Sequence, residues 1–218
     1  MHSVKTQLTK MAKATNSLAV DVKVGPIKPG LLPQIVDIHM EAFKEYTNTK
    51  LGKGFVQSIL DWFTTADDGI VLVAVRPDGQ SVGYVAGATS DYHVRMNRAL
   101  AFPGIAALIT HPWIVLRWRF LYSLGRRGWK MVVPAKVQAP SHRLASLVTI
   151  AVAPNARNLG VGDLLMDAFE SECRKRGFKS IRLSVYSSNK PARLLYERRK
   201  WEAYGDLNGE QVDYRLLL

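Results

Sequence analysis

Residues 157–162 read RNLGVG, and they stand between an apolar run closed by Pro154 and an amphipathic run that starts at Val161. No other stretch constrains the fold as tightly. A strand that turns through two glycines straight into a helix aims unpaired backbone N–H groups, and the positive end of the helix dipole, at one point. Anions bind at such a junction, phosphates above all. Gly160 and Gly162 let oxygens approach the main chain, and Arg157 adds charge at the rim. Taken alone, so short a pattern also fits a tight turn with no ligand.

The flanks supply a context. Before the loop, ASLVTIAVAP is a strand ended by Pro154. After it, Val161, Leu164, Leu165, Ala168 and Phe169 make one apolar helical face, with Gly177 as the stop. SIRLSVY alternates as a strand, NKPARLLYERR is a short helix with Pro191 near its start, and the C-terminal residues form a hairpin around Asn208 and Gly209. Upstream, Leu18, Val20, Val22 and Val24 alternate as a strand that stops at Gly25 and Pro26. Two helices follow, LLPQIVDIHMEAF and FVQSILDWF, then two apolar runs joined by Pro77-Asp78-Gly79, a hairpin signal. The order β-α-α-β-β, insertion, β-α-β-α-β-β predicts an α/β fold with one mixed sheet and helices packed against it.

The middle breaks the rhythm. Residues 92–144 are apolar, aromatic and arginine-rich, and prolines with Arg117 and Arg119 interrupt them, which predicts short helices in place of a membrane span of about 20 apolar residues. The chain carries a net charge of +12, and no acid occurs between Asp91 and Asp163, so much of the excess belongs to this segment. Residues 1–17 are polar and basic, lack the apolar core of a signal peptide, and read as a loose tail before a single domain over 18–218. One cysteine, Cys173, falls on a helical pattern as a half-buried filler, which excludes a disulfide framework and a multi-cysteine metal site. A reducing cytoplasm is the compartment that such cysteine usage suits. No metal is expected. Nucleic acid is not expected either, because the charge comes without a recognition motif.

The loop and its surroundings, VAPNARNLGVG (152–162), resemble the acyl-coenzyme A loop of the GNAT N-acetyltransferase superfamily, V-x-P-x-x-R-x-x-G-x-G. NKPARLLYERRKW (189–201) resembles that family's second signature, N-x-x-A-x-x-L-Y followed by a short strand. The resemblance implies a central mixed, mostly antiparallel twisted sheet flanked by helices, with 92–144 as a helical insertion before the cofactor-binding strand. It implies acetyl-coenzyme A as acyl donor and an amine as acceptor. Main-chain groups of the strand at Ile150 and Val152 would meet the pantetheine arm. Arg157 and the backbone of Asn158, Leu159, Gly160, Val161 and Gly162 would hold the pyrophosphate. Asn189 would contact the arm, Ala192 would leave room beside it, and Tyr196 would protonate the departing thiolate; the alternative for Tyr196 is a half-buried helix tyrosine.

In chemical terms a neutral amine attacks a thioester carbonyl, main-chain donors hold the oxyanion, and the thiolate leaves with a proton. Many relatives carry a carboxylate on the strand before the loop, and LASLVTIAV has none. Glu41, Glu45, Asp91, His93 and His142 are candidate bases, each of a type more often solvated at the surface, and a water relay through Ser146 or Thr149 would also serve. The basic segment repels cationic amines and attracts anionic ones. That favours an amino sugar on a nucleotide or lipid diphosphate, with Glu41, Phe43, Arg117 and Arg119 as acceptor contacts. HMEAF, with Glu41 and Phe43, and the aromatic-arginine segment more loosely resemble bacterial polysaccharide-associated members of the superfamily. A second class stays open: an interaction protein on the same fold, docked on anionic membrane or a partner through HPWIVLRWRFLYSLGRRGWK.

Overall fold

The computed structural model describes residues 21–110 and 144–218. Seven strands form one sheet: β1 (Lys23–Pro26), β2 (Ile70–Val75), β3 (Ser81–Thr89), β4 (Leu144–Val152), β5 (Ser180–Tyr186), β6 (Glu202–Tyr204) and β7 (Gln211–Leu217). Their spatial order is β1-β2-β3-β4-β5-β7-β6. Every neighbouring pair is antiparallel except β4 and β5, which run parallel. The helices are α1 (Leu32–Ala42), α2 (Thr47–Lys50), α3 (Lys53–Thr65), α4 (Tyr92–Ala99), α5 (Ala101–Thr110), α6 (Val161–Lys175) and α7 (Lys190–Arg198).

The expected order of elements is present, with α2 as a one-turn addition between the two N-terminal helices. Of the 92–144 segment, 92–110 form α4 and α5, and 111–143 lie outside the described residues, as do the tail and residues 18–20 of the first strand. Two expectations shift. Pairing of β1 continues through Gly25 and Pro26 to Leu72, because β1 is an edge strand and tolerates a residue without an N–H. The C-terminal turn is wider than a two-residue hairpin: residues 205–210 lie between β6 and β7, and Asp206 accepts from the N–H groups of Asn208 and Gly209.

Each sheet face has its own core. On one side Val161, Leu165, Met166 and Phe169 of α6 pack with Ile70, Leu72, Ala145, Leu147 and Ile181 of the sheet, and Tyr196 and Trp201 join them at the α7 end. On the other, Ile35, Val36 and Ile38 of α1 and Val56, Leu60 and Phe63 of α3 cover Val71, Val73, Tyr84 and Ala86. The close seat of α6 depends on Gly87. A Cβ there would lie 2.6 Å from Phe169 Cζ and 2.3 Å from the Ser146 carbonyl oxygen. At its far end α6 stops in a paired C-terminal turn, with the Phe178 N–H on the Cys173 carbonyl and the Gly177 N–H on that of Arg174. Cys173 itself is fully buried, and burial pushes its thiol up to about 12, which suits a filler.

Candidate active site

β4 and β5 part company early. Their ladder consists of Leu144 with Ser180, Ala145 with Ile181 and Ser146 with Arg182, whereas β4 runs on to Val152 and β5 to Tyr186. Past Ser146, β4 pairs with β3 alone among the described residues. Its other edge has no partner among them, and an extended ligand with amide groups can add to such an edge as a strand does. A bulge marks the departure: Gly87 pairs with Leu147 and Ala86 with Thr149, which leaves Val148 as the extra residue. Bulges bend a strand and re-aim its side chains, and they concentrate beside active sites.

The open edge leads to the start of α6. Asn158 at φ 60° and Gly160 at φ 79° turn the chain through the left-handed region. The first intrahelical bond runs from the Leu164 N–H to the Gly160 carbonyl at 3.1 Å, so the amides of Val161, Gly162 and Asp163 precede the ladder. No packing demand explains the second glycine. A Cβ at 162 would meet only Leu195 Cδ2, at 3.8 Å, and a Cβ at 160 would have nothing within 4 Å. Gly160 is required by its φ; the space over Gly162 is room for something else. Arg157 is exposed at the rim, where its Nε donates to the Val152 carbonyl at 3.2 Å. A groove that ends in free amides beside a guanidinium fits an extended chain carrying a diphosphate.

α7 borders the groove. Asn189 caps it, its Oδ1 accepting from the Ala192 N–H at 3.3 Å, while its Nδ2 makes no hydrogen bond among the described residues. Ala192 and Leu195 pack on the α6-side core. Tyr196 is buried, its ring centroid 5.8 Å from that of Trp201 and 5.6 Å from that of Tyr214. Burial, with Tyr46 and Tyr214 adding, pushes its phenol well above the ordinary tyrosine range, so it holds its proton at neutral pH. Arg199 fastens this helix to α6, reaching Asp167 at 2.5 Å and the buried Glu170 at 3.1 Å, and Glu170 also accepts from the Trp201 Nε1–H at 3.2 Å.

The α1 side of the opening holds groups that the periodicity hid. His39 Nδ1 and the Tyr84 hydroxyl share a short hydrogen bond, and the same hydroxyl lies 3.2 Å from Thr149 Oγ1 on the bulged part of β4. From His39 a row of rings runs to Phe43 at 4.7 Å, Tyr46 at 5.1 Å and Tyr186, at the end of β5, at 5.3 Å. Through Tyr46 the row links the segment after α1 to the end of β5. Sequence reasoning named Phe43 and missed His39, Tyr46, Tyr84 and Tyr186. A histidine on the apolar face of one helix, and a tyrosine between small residues of a buried strand, were the signals available.

The other candidates are scattered. Glu41 pairs with Lys44 at 2.8 Å and Glu45 with Lys50 at 2.9 Å, both on exposed surface. Asp91 accepts from the Thr89 hydroxyl at 2.6 Å and lies 3.6 Å from Arg95, which is itself held by Asp68. The His93 ring lies 3.9 Å from that of Tyr92. Ser146 accepts from Arg182 Nε at 3.2 Å inside the β4–β5 ladder. Arg117, Arg119 and His142 lie outside the described residues. Among the described residues no cluster of His, Cys, Asp or Glu is placed to hold a metal ion, and no helix is long and apolar enough to cross a membrane.

The model of the Acetyltransferase (GNAT) family matches residues 32–201. In fold the chain is similar to the PaiA N-acetyltransferase of Thermoplasma acidophilum, solved in complex with coenzyme A: 12% identical, TM-score 0.58, over 91% of this chain and 100% of that one. It is similar to a GCN5-related N-acetyltransferase of Kribbella flavida (17% identical, TM-score 0.59, 91% and 98% covered). The same holds for a ribosomal-protein-alanine N-acetyltransferase of Brucella melitensis (16% identical, TM-score 0.58, 90% and 99% covered). At such identities the likeness is one of fold. No curated protein matches the sequence.

Proposed function

The chain belongs to the acetyltransferase (GNAT) family and is an acyltransferase, and from that premise we propose that it moves an acetyl group from acetyl-coenzyme A to the primary amine of an anionic acceptor, an amino sugar on a nucleotide or lipid diphosphate. One observation carries the donor half: the unpaired edge of β4 beyond Ser146 leads directly to the free amides and vacant Gly162 face of α6. In this reading Ile150 and Val152 lend main-chain groups to the pantetheine arm, and residues 157–162 hold the pyrophosphate. Asn189 turns its free Nδ2 toward the arm, and Ala192 keeps the α7 side clear. The thioester supplies an activated carbonyl. Backbone donors stabilise the oxygen that gains charge, and Tyr196 keeps the proton that the departing sulfur needs. Much of the acceleration comes from holding two substrates in line.

The acceptor half rests on the acid-free basic stretch and on the Phe43, Tyr46 and Tyr186 rings, whose faces suit a sugar. The structure adds a reservation about charge: Arg95 is neutralised by Asp68 and Asp91, so it contributes little to any field over the acceptor. Docking on anionic membrane or a partner is the second reading, favoured by Val94, Phe102, Ile105 and Ile109, all largely exposed on α4 and α5.

Thermal shift tests the donor site. Saturating acetyl-coenzyme A at about 100 times its Kd should stabilise the protein by about 2.7 kcal/mol. Gly162→Val should melt near the wild type without ligand and lose most of that shift, because the new side chain enters space in which a Cβ meets only Leu195 among the described residues. Position 160 is the poorer probe, since any side chain there strains the backbone. An undiminished shift in folded Gly162→Val would sink the pyrophosphate assignment. A panel of anionic and cationic amines, read by free thiol, then assigns the acceptor class.

A further inference from the structure

We propose that Thr149, Tyr84 and His39 form a hydrogen-bonded relay that takes the proton from the acceptor amine at the open edge of β4. The inference rests on the acyl-transfer reading and supplies the base that the strand before the loop lacks. It stands on three positions. Thr149 lies on β4 three residues past the last β5 partner, half-buried on the stretch that borders the groove. Tyr84, on the adjacent β3, is fully buried, with its hydroxyl 3.2 Å from Thr149 Oγ1. His39, 8% exposed on α1, closes the chain through Nδ1.

The relay assigns the direction of the bonds: both groups are neutral, and His39 is the Nε2–H tautomer. Burial drives His39 down to about 4, so the imidazole is neutral at physiological pH, and in the Nε2–H tautomer its Nδ1 accepts. Burial pushes the Tyr84 phenol far above its ordinary range, against a smaller opposing effect of the Thr149 hydrogen bond, so Tyr84 keeps its proton and has it to donate to that Nδ1. Thr149 then donates to the Tyr84 oxygen, and the lone pairs of Oγ1 remain for a donor in the groove. From the strands packed against α1, Tyr84 of β3 meets His39, and Thr149 of β4 lies behind Tyr84. Lys53 of α3 pairs with Asp37 of α1 at 2.5 Å on the exposed flank. Burial is what disfavours the imidazolium.

The step balances as follows. The amine nitrogen forms a C–N bond to the thioester carbonyl carbon and the C–S bond breaks. The amine proton passes to Thr149 Oγ1, the Thr149 proton to Tyr84, and the Tyr84 proton to His39 Nδ1. The imidazolium is disfavoured in this apolar site, so it loses its Nε2 proton to solvent, which leaves the Nδ1–H tautomer. Before the next turnover Nε2 takes a proton from solvent and the Nδ1 proton passes back through Tyr84 and Thr149 to water in the emptied groove, which restores the starting state. The leaving sulfur takes its own proton from Tyr196. Thr149 meets the amine, whereas Tyr84 and His39 act through it as positioning residues.

Two variants separate proton transfer from packing. Tyr84→Phe keeps the ring and cuts the chain; His39→Gln can still accept from Tyr84 but cannot take the proton. Thiol release is followed with acetyl-coenzyme A and glucosamine 1-phosphate, and with water as the acceptor in a parallel hydrolysis assay. Both variants should lose about 10²-fold in kcat at pH 6.5 with the KM for acetyl-coenzyme A unchanged. The deficit should shrink as the pH approaches that of the free amine, where solvent removes the proton unaided. A loss of equal size at every pH, or full activity in His39→Gln, overturns the relay. Imidazole ¹⁵N shifts of the wild type at pH 7 give a readout independent of turnover. An unprotonated Nδ1 and protonated Nε2 are expected, and a protonated Nδ1 would run the chain backwards and overturn it. Failure of acyl transfer itself has a different signature: no thermal shift with acetyl-coenzyme A.

Discussion

Tyr196 sits where a half-buried surface tyrosine would not. Its ring is enclosed by Trp201 and Tyr214, so its position is fixed by packing and not by a hydrogen bond, for among the described residues its hydroxyl has no partner. A hydroxyl released from such duties, at 4% exposure, is either an orphan or a group reserved for a ligand. Tyr196→Phe separates these. Removing an idle hydroxyl costs nothing in turnover and slightly favours the buried ring. Removing a proton donor lowers kcat for thiol release by about 10²-fold with the acetyl-coenzyme A affinity retained, because the ring contacts survive. The second outcome is expected, and steady-state kinetics beside a binding isotherm decide. Full turnover in the variant would assign the proton to water.

α7 carries Tyr196, and what aims that helix is its tie to α6. Arg199 and the Trp201 indole converge on Glu170, a carboxylate 8% exposed, with Asp163 and Asp167 completing the cluster. Taking away the carboxylate leaves a half-buried guanidinium and an indole N–H without their shared acceptor. Glu170→Ala should therefore destabilise by about 3 kcal/mol, read as a lower denaturant midpoint. If the midpoint moves by less than a quarter of that, the cluster is surface decoration. Helices such as these were legible in the sequence because proline, glycine and a 3.6-residue apolar period mark them: Pro33, Pro191 and Gly177 all stand at the ends they announced. The glycine turn into α6 was legible for the same reason, since a left-handed Gly160 is a local necessity. The relay was not. His39 and Tyr84 occupy positions where the period asks for an apolar residue, and each is tolerated there only because the other satisfies it, 45 residues away. The parting of β4 from β5 was equally hidden, because LASLVTIAV alternates without a sign of the bulge at Val148. Strand pairing is a property of the sheet.

Across the whole molecule the charge is unevenly distributed. Nine cations and no anions fall in residues 92–144, three cations fall in the first twenty residues, and the remainder of the chain balances at eighteen of each. The acids of α6 show that balance locally, each lying beside an arginine: Asp163 by Arg198, Asp167 by Arg199, Glu170 by Arg199 and Glu172 by Arg176. The field of the folded domain is thus set largely by one segment, which joins the β3 end to the strand bordering the donor groove. Arg95 is already neutralised within that segment, so exposed Arg98 and the cations beyond 110 must supply any attraction for an anionic acceptor. An anionic amine and an anionic lipid surface would both respond to those charges, and both weaken with salt, so ionic strength alone cannot separate them. Substrate kinetics can. Replacing Arg117 and Arg119 together with glutamine should raise the KM for a soluble anionic amine by about tenfold, equivalent to about 1.4 kcal/mol, and leave the KM for acetyl-coenzyme A unchanged. A double variant that handles soluble acceptor normally, yet no longer sediments with vesicles containing phosphatidylglycerol, assigns the segment to membrane docking and removes the charge argument for an anionic acceptor.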